Sequence, residues 1–212
     1  MKRGFAWLFP LAAIAALLSF PWPPPLLLLL IAEVVIVLLV WAGLWFGAPH
    51  GLGSAVPSPV RVAYALLIGT ATGAVVLAIL PLAGLQSRLI KEASIPVWQW
   101  LIIAFDSAIL EEIIYRLFIL SLVVWLLARF LPRNAAIWIA LIVSALAFGA
   151  AHLSRWIDSG PVVITAVMVV NGLIAIVLGR VYVKWGIEAA ILAHFAGDVV
   201  VHIIGPHFFT KG

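Results

Sequence analysis

Apolar residues occur along this chain in long runs, and polar residues collect between them. Residues 5–20 form a short run, stopped by Phe20-Pro-Trp-Pro-Pro-Pro25, where successive prolines remove backbone donors and fix an extended turn. Further runs occupy 26–46, 61–85, 96–131, 135–153, 161–179 and 187–204. About 20 apolar residues cross a hydrocarbon core of about 30 Å, so each run reads as a spanning helix. In lipid a backbone must satisfy its own hydrogen bonds, which one helix does alone. The pattern therefore predicts an all-α polytopic membrane protein of about seven spans.

One run is too long for a single upright crossing. From Val97 to Leu131 neither Pro nor Gly intervenes. Taken as one helix from Pro96 it would be about 52 Å long. It must tilt strongly, reach into water, or break near its charged cluster, and a break would raise the total to about eight spans. The third run carries Gly69-Thr-Ala-Thr-Gly73, a small-xxx-small face suited to close helix packing. Met-Lys-Arg ahead of the first run is the start of a signal-peptide pattern, but Pro10 interrupts the run and more apolar sequence follows at once. We read it as a retained first span.

Composition sharpens the class. The chain is 66% hydrophobic and 9% charged, against about half and a quarter in soluble domains. No stretch is long and polar enough for a separate soluble domain. The net charge of +4 comes with 12 Lys and Arg scattered at the ends of apolar runs, as membrane anchoring requires. There is no basic cluster, so the expected partner is membrane lipid and not nucleic acid. The absence of cysteine excludes disulfides, Cys-ligated zinc, Fe–S clusters and thiol catalysis.

Against that background, charge inside an apolar run is a functional signal. Asp106-Ser-Ala-Ile-Leu-Glu-Glu-Ile-Ile-Tyr-Arg116 sets three carboxylates and a guanidinium in the middle of the fourth run. Glu112 and Arg116 are four apart on one helical face and can pair. Glu111 lies about 100° round the helix and is left for other work. Phe148-Gly-Ala-Ala-His152 puts a histidine behind small residues that let a backbone or substrate come close. His194-Phe-Ala-Gly-Asp198 puts a histidine and a carboxylate on one face, and His202 extends that face by a turn.

Each group alone has a structural reading: an interhelical hydrogen bond, an ion pair, a helix contact. Burying them separately would incur several desolvation penalties, and meeting round one wet cavity reduces them all. Two imidazoles and a carboxylate, here Glu111, His152 and His194, are also an ordinary zinc set that leaves a position for water. The local His-Glu-x-x-His spacing is absent, so a zinc or other divalent metal would have to be held across helices. A proton- or ion-coupled transporter could use the same groups as a relay, but no inverted repeat or pair of broken helices is visible.

Glu-Glu-x-x-x-Arg, then Phe-x-x-x-His, then His-x-x-x-Asp, in this order, resembles the CPBP family. These are the CAAX-protease and bacteriocin-processing (Abi) membrane endopeptidases, related to the Ras-converting CAAX endopeptidase. Gly179-Arg-Val-Tyr-Val-Lys-Trp-Gly186 ahead of Glu188-Ala-Ala-Ile-Leu-Ala-His194 is similar too. The likeness covers about Pro96 to Gly205. It implies a catalytic transmembrane domain over 96–212, with the cavity among the last four or five helices, behind motif-free spans over 1–95.

The resemblance implies intramembrane proteolysis of a membrane-associated peptide or protein tail, lipidated or not, in the cytoplasmic membrane of a prokaryote. Glu111 would activate water with His152 beside it, and Glu112 with Arg116 would hold the helix and polarise the site. His194 and Asp198 would stabilise the oxyanion or complete a metal site, since such enzymes are often metalloproteases and a metal-free glutamate–histidine mechanism is the rival. The family pattern commonly has Asn where this chain has Asp198. An ionised carboxylate cannot donate to an oxyanion. Asp198 is therefore expected to be protonated, to orient His194, or to act through a metal. A catalytically silent adaptor or immunity protein on the same scaffold is the remaining alternative. Asp106 and His202 match no motif position and are expected to be helix contacts, His202 with some access to the cavity.

Overall fold

Prolines and glycines set where the helices begin. The structure, a computed structural model, describes residues 2–21 and 23–209. Its helices are α1 (Lys2–Leu18), α2 (Leu26–Gly47), α3 (Pro59–Ile79), the short α4 (Gln86–Glu92), α5 (Val97–Glu111), α6 (Ser121–Leu127), α7 (Arg133–Ala151), α8 (Pro161–Trp185), α9 (Ile187–Asp198) and α10 (Gly205–Phe209). Pro25, Pro96 and Pro132 precede α2, α5 and α7, while Pro59 and Pro161 open α3 and α8, where a missing N–H costs nothing. Gly186, at φ 94°, turns the chain directly from α8 into α9. Among the described residues there is no β-strand.

Polarity is arranged inside out, as a lipid solvent demands. Glu112 and Arg116 are 0% exposed, whereas Leu26 and Leu27 are each 70% exposed. Among the described residues, five helices are long and apolar enough to cross a membrane: Leu26–His50, Pro59–Leu82, Arg133–Arg155, Pro161–Trp185 and Ile187–Phe209. The shorter apolar helix Ala6–Leu18 and the charged segment from α5 to α6 complete the set of long helices.

The long fourth run does not break. A π segment, Glu112–Leu120, joins α5 to α6, so helix runs without interruption from Val97 to Leu127, roughly 45 Å at the α-helical rise. A second π segment, Val199–Ile204, joins α9 to α10 in the same way. Such segments are rare and tend to mark functional sites. Here one begins directly after Glu111 and the other directly after Asp198.

Small residues bring the site-bearing helices together. α1 lays Ala12, Ala15 and Ala16 against its neighbours α2 and α5. α3 packs along α9, where a Cβ at Gly69 would overlap the Ala193 carbonyl and one at Gly73 would come within 2.8 Å of the Gly197 carbonyl. α7 pairs with α8, Gly149 facing Met168. The loop after α2 then straps the start of α9. The Ile187 amide donates to Gly53 O at 2.9 Å, the Ala55 amide to Glu188 Oε2 at 2.9 Å, and the Ser54 hydroxyl to Glu188 Oε1 at 2.5 Å. α9 is thus clamped at its first turn and along its length, and α9 carries His194.

Candidate active site

Glu111 and Glu112 sit where α5 passes into the first π segment, and they face different surroundings. Glu112 is fully buried, with Oε1 2.9 Å from Arg116 Nη1 and 2.9 Å from His194 Nδ1. The Arg116 contact is a charge pair lying off the N–H direction, so Nη1 and Nε keep no aligned hydrogen bond among the described residues, nor does Glu112 Oε2. Two other contacts serve the guanidinium. Its Nη2 donates to Ala175 O at 3.5 Å, and its carbon lies 4.5 Å from the centre of the Phe148 ring.

Glu111 is turned toward a cavity of about 370 Å³ that also receives His152, His194 and Asp198. His194 is ringed by carboxylates. With Nδ1 held by Glu112, its Nε2 lies 3.8 Å from Glu111 Oε2 and 3.6 Å from Asp198 Oδ1. Neither gap is a hydrogen bond, and both are distances at which a bridging water is expected. Asp198 Oδ2 instead accepts from the Ser107 hydroxyl at 2.8 Å, which ties α9 to α5. His152 lies on the 3₁₀ turn that ends α7. Its Nδ1 is 2.8 Å from Phe148 O, a carbonyl that can only accept, so Nδ1 carries the hydrogen and Nε2 is left free. Phe148 separates the two imidazoles, its ring centre 4.5 Å from His152 and 6.1 Å from His194.

Glu111, His152, His194 and Asp198 therefore line one cavity, and Glu112 with Arg116 lies buried behind it. Asp106 is a contact between helices, the Ser19 hydroxyl reaching its two oxygens at 2.8 and 2.7 Å. His202 does line the cavity. It stacks on Trp100 with ring centres 4.8 Å apart, and its Nδ1 is 2.8 Å from Glu92 Oε2. The hydrogen bond at Nδ1 of His194 is made with Glu112, while Asp198 stands beside Nε2. The His194–Asp198 separation of 3.6 Å is set by the hold of Ser107 on the carboxylate.

Ser107, Glu92 and Asn171 join the cavity without belonging to any of the three motifs. Ser107 precedes Glu111 by one helical turn, a spacing that does place it on the same face. Glu92 reads in sequence as part of a polar loop. Asn171 is a lone carboxamide in an apolar stretch of α8, the one signal of the three that hydropathy alone offers.

A protein-bound metal needs three or four donor side chains turned to one point. Among the described residues, no three His, Asp or Glu side chains are grouped to hold one. His152 and His194 each set Nδ1 on a protein acceptor, which leaves the two Nε2 atoms and the Glu111 carboxylate as the groups that would hold a metal, and Glu111 stands 3.8 Å from His194 Nε2. As placed, Glu111, His152 and His194 share a cavity without forming a metal set.

Fold and site together define a multi-pass integral membrane protein with a carboxylate–imidazole centre enclosed by its helices. The family model for the type II CAAX prenyl endopeptidases, Rce1-like, matches residues 93–200, just over half of the chain. The chain belongs to that family, and in general class it is a CAAX-type intramembrane endopeptidase. No curated protein and no solved structure matches it.

Proposed function

We propose that this protein hydrolyses a peptide bond near the end of a membrane-associated peptide or protein, using a water activated by Glu111. The observation that supports this most is the 3.8 Å gap between Glu111 Oε2 and His194 Nε2, opening on a cavity shared with the free Nε2 of His152. A water in that gap donates one hydrogen to Glu111 and the other to His152, which turns a lone pair toward a peptide carbonyl. An apolar cavity makes a carboxylate a stronger base than it is in water. As the water oxygen bonds to the carbonyl carbon, its proton passes to Glu111 and the carbonyl electrons move to oxygen. Glu111 then returns the proton to the departing amine as the C–N bond breaks.

His194 is the positioned electrophile in this scheme. Glu112 fixes its ring through Nδ1, and with a hydrogen on each nitrogen the ring presents Nε2–H to the developing oxyanion. Arg116 offsets the charge of Glu112 in an apolar interior. The chain's setting in this proposal is the cytoplasmic membrane of a prokaryote. The family description suggests a prenylated tail as the first substrate class to try, and the cavity's apolar wall, with Val76, Leu80, Leu85 and Leu89, suits one.

The test uses the purified chain in lipid vesicles with two internally quenched peptides, one carrying a farnesylated cysteine three residues from its end and one without the lipid. Cleavage of either, abolished by Glu111→Ala and by His152→Ala in protein that still inserts and folds, is expected. Cleavage retained in either variant refutes the assignment.

A further inference from the structure

We propose that Asn171 supplies a second oxyanion donor, giving its free side-chain N–H to the carbonyl oxygen of the scissile peptide. This rests on the peptidase reading above. The centre needs such a group. Asp198 Oδ2 is engaged by the Ser107 hydroxyl, whose one hydrogen is taken up between that oxygen at 2.8 Å and Ala104 O at 3.3 Å. Among the described residues Asn171 is the sole carboxamide lining the cavity.

Its placement is set by two neighbours on α8. Met168, three residues earlier, lies against Gly149, itself three residues before His152. Ala175, four residues later, receives the Arg116 guanidinium. Asn171 thus lies between the level of His152 and the level of Arg116. With Val167, Val170 and Ile174, one stripe at helical spacing, it faces the cavity from a helix packed against the motif-bearing α7 and α9, and it is the only polar residue of that stripe.

The amide is also held in the right sense. Its Nδ2 donates to Val167 O at 2.8 Å, and because a carbonyl only accepts, the nitrogen and not the oxygen must face that way. An amide nitrogen has a second hydrogen, and among the described residues nothing takes it. An Asn bonding back to its own helix is a poor choice for a helix interior and a poorer one in lipid. Leu at this position would match the apolar neighbours of the stripe, so the helix itself does not require a carboxamide there.

Asn171→Leu is close in volume and suits an apolar helix, so it is expected to unfold no earlier than the wild type. Asn171→Ala controls for bulk. Both are assayed in vesicles on the two quenched peptides, with kcat and KM separated. Loss of one oxyanion donor lowers kcat by about 10²–10³, with KM changed little because the bond strengthens only in the transition state. An unchanged kcat, or a rise in KM alone, in folded protein overturns the inference. A wild-type chain that cleaves neither peptide overturns the peptidase reading instead, and this inference with it.

Discussion

Glu112 Oε1 lies 2.9 Å from His194 Nδ1 and 2.9 Å from Arg116 Nη1, so one buried carboxylate oxygen both offsets a cation and aims an imidazole. The arrangement is asymmetric in its consequences. Removing one partner leaves an uncompensated charge in the interior, at about 3–5 kcal/mol, whereas removing both partners of such a pair is often nearly neutral. Arg116→Met should therefore lower the unfolding temperature in detergent sharply. Arg116→Met with Glu112→Gln should recover most of that loss without recovering activity, because the ring of His194 is no longer held by a charged acceptor. Stability and cleavage measured on the two variants would show whether the effects separate.

Close approach of α3 to α9 holds His194 from behind. Gly69→Ala puts a Cβ into the Ala193 carbonyl, next in the chain to His194, while Gly172→Ala meets only Ala145 O at 4.0 Å. Overpacking of the first kind costs about 1–3 kcal/mol. Gly69→Ala should destabilise the protein and reduce cleavage, and Gly172→Ala should leave both near wild type. Thermal unfolding with a parallel cleavage assay checks the pair.

Asp198 is held by Ser107 through Oδ2 at 2.8 Å. An amide at 198 can still accept that bond and can also donate, so Asp198→Asn should keep cleavage within about tenfold of wild type. Asp198→Ala should lose about 10²-fold, on the scale of one positioned group. Equal losses in the two variants would mean that the negative charge itself is required.

Water activation by a carboxylate does not route through a metal, so treatment with a strong chelator followed by gel filtration should leave cleavage within about twofold. Stoichiometric zinc that leaves together with activity, and restores it on return, would assign the water to a Glu111–His152–His194 metal set in place of Glu111 as base.

How much of this was legible beforehand follows from distance along the chain. The Glu112–Arg116 pair is four residues apart, and helix geometry alone predicts it. The convergence of Glu111, His152 and His194 follows from the cost of burying each apart. The hold of Ser107 on Asp198 spans two helices, and only their packing decides it. The π segments were not legible, since a hydrogen-bond register shifted by one residue leaves no mark in hydropathy. For the same reason the fourth run was open to breaking, and it continues as helix. Glu92 was hidden differently: it sits in a polar-looking stretch, yet α4 delivers it, 6% exposed, to His202.

The most direct measurement is the turnover of Glu111→Gln in lipid vesicles, with peptide affinity measured in parallel. The substitution keeps the shape of the side chain and removes the base. The proposed mechanism predicts unchanged peptide binding, an unchanged unfolding temperature and a kcat lower by about 10³-fold or more. A Glu111→Gln protein that turns over within threefold of wild type would contradict it.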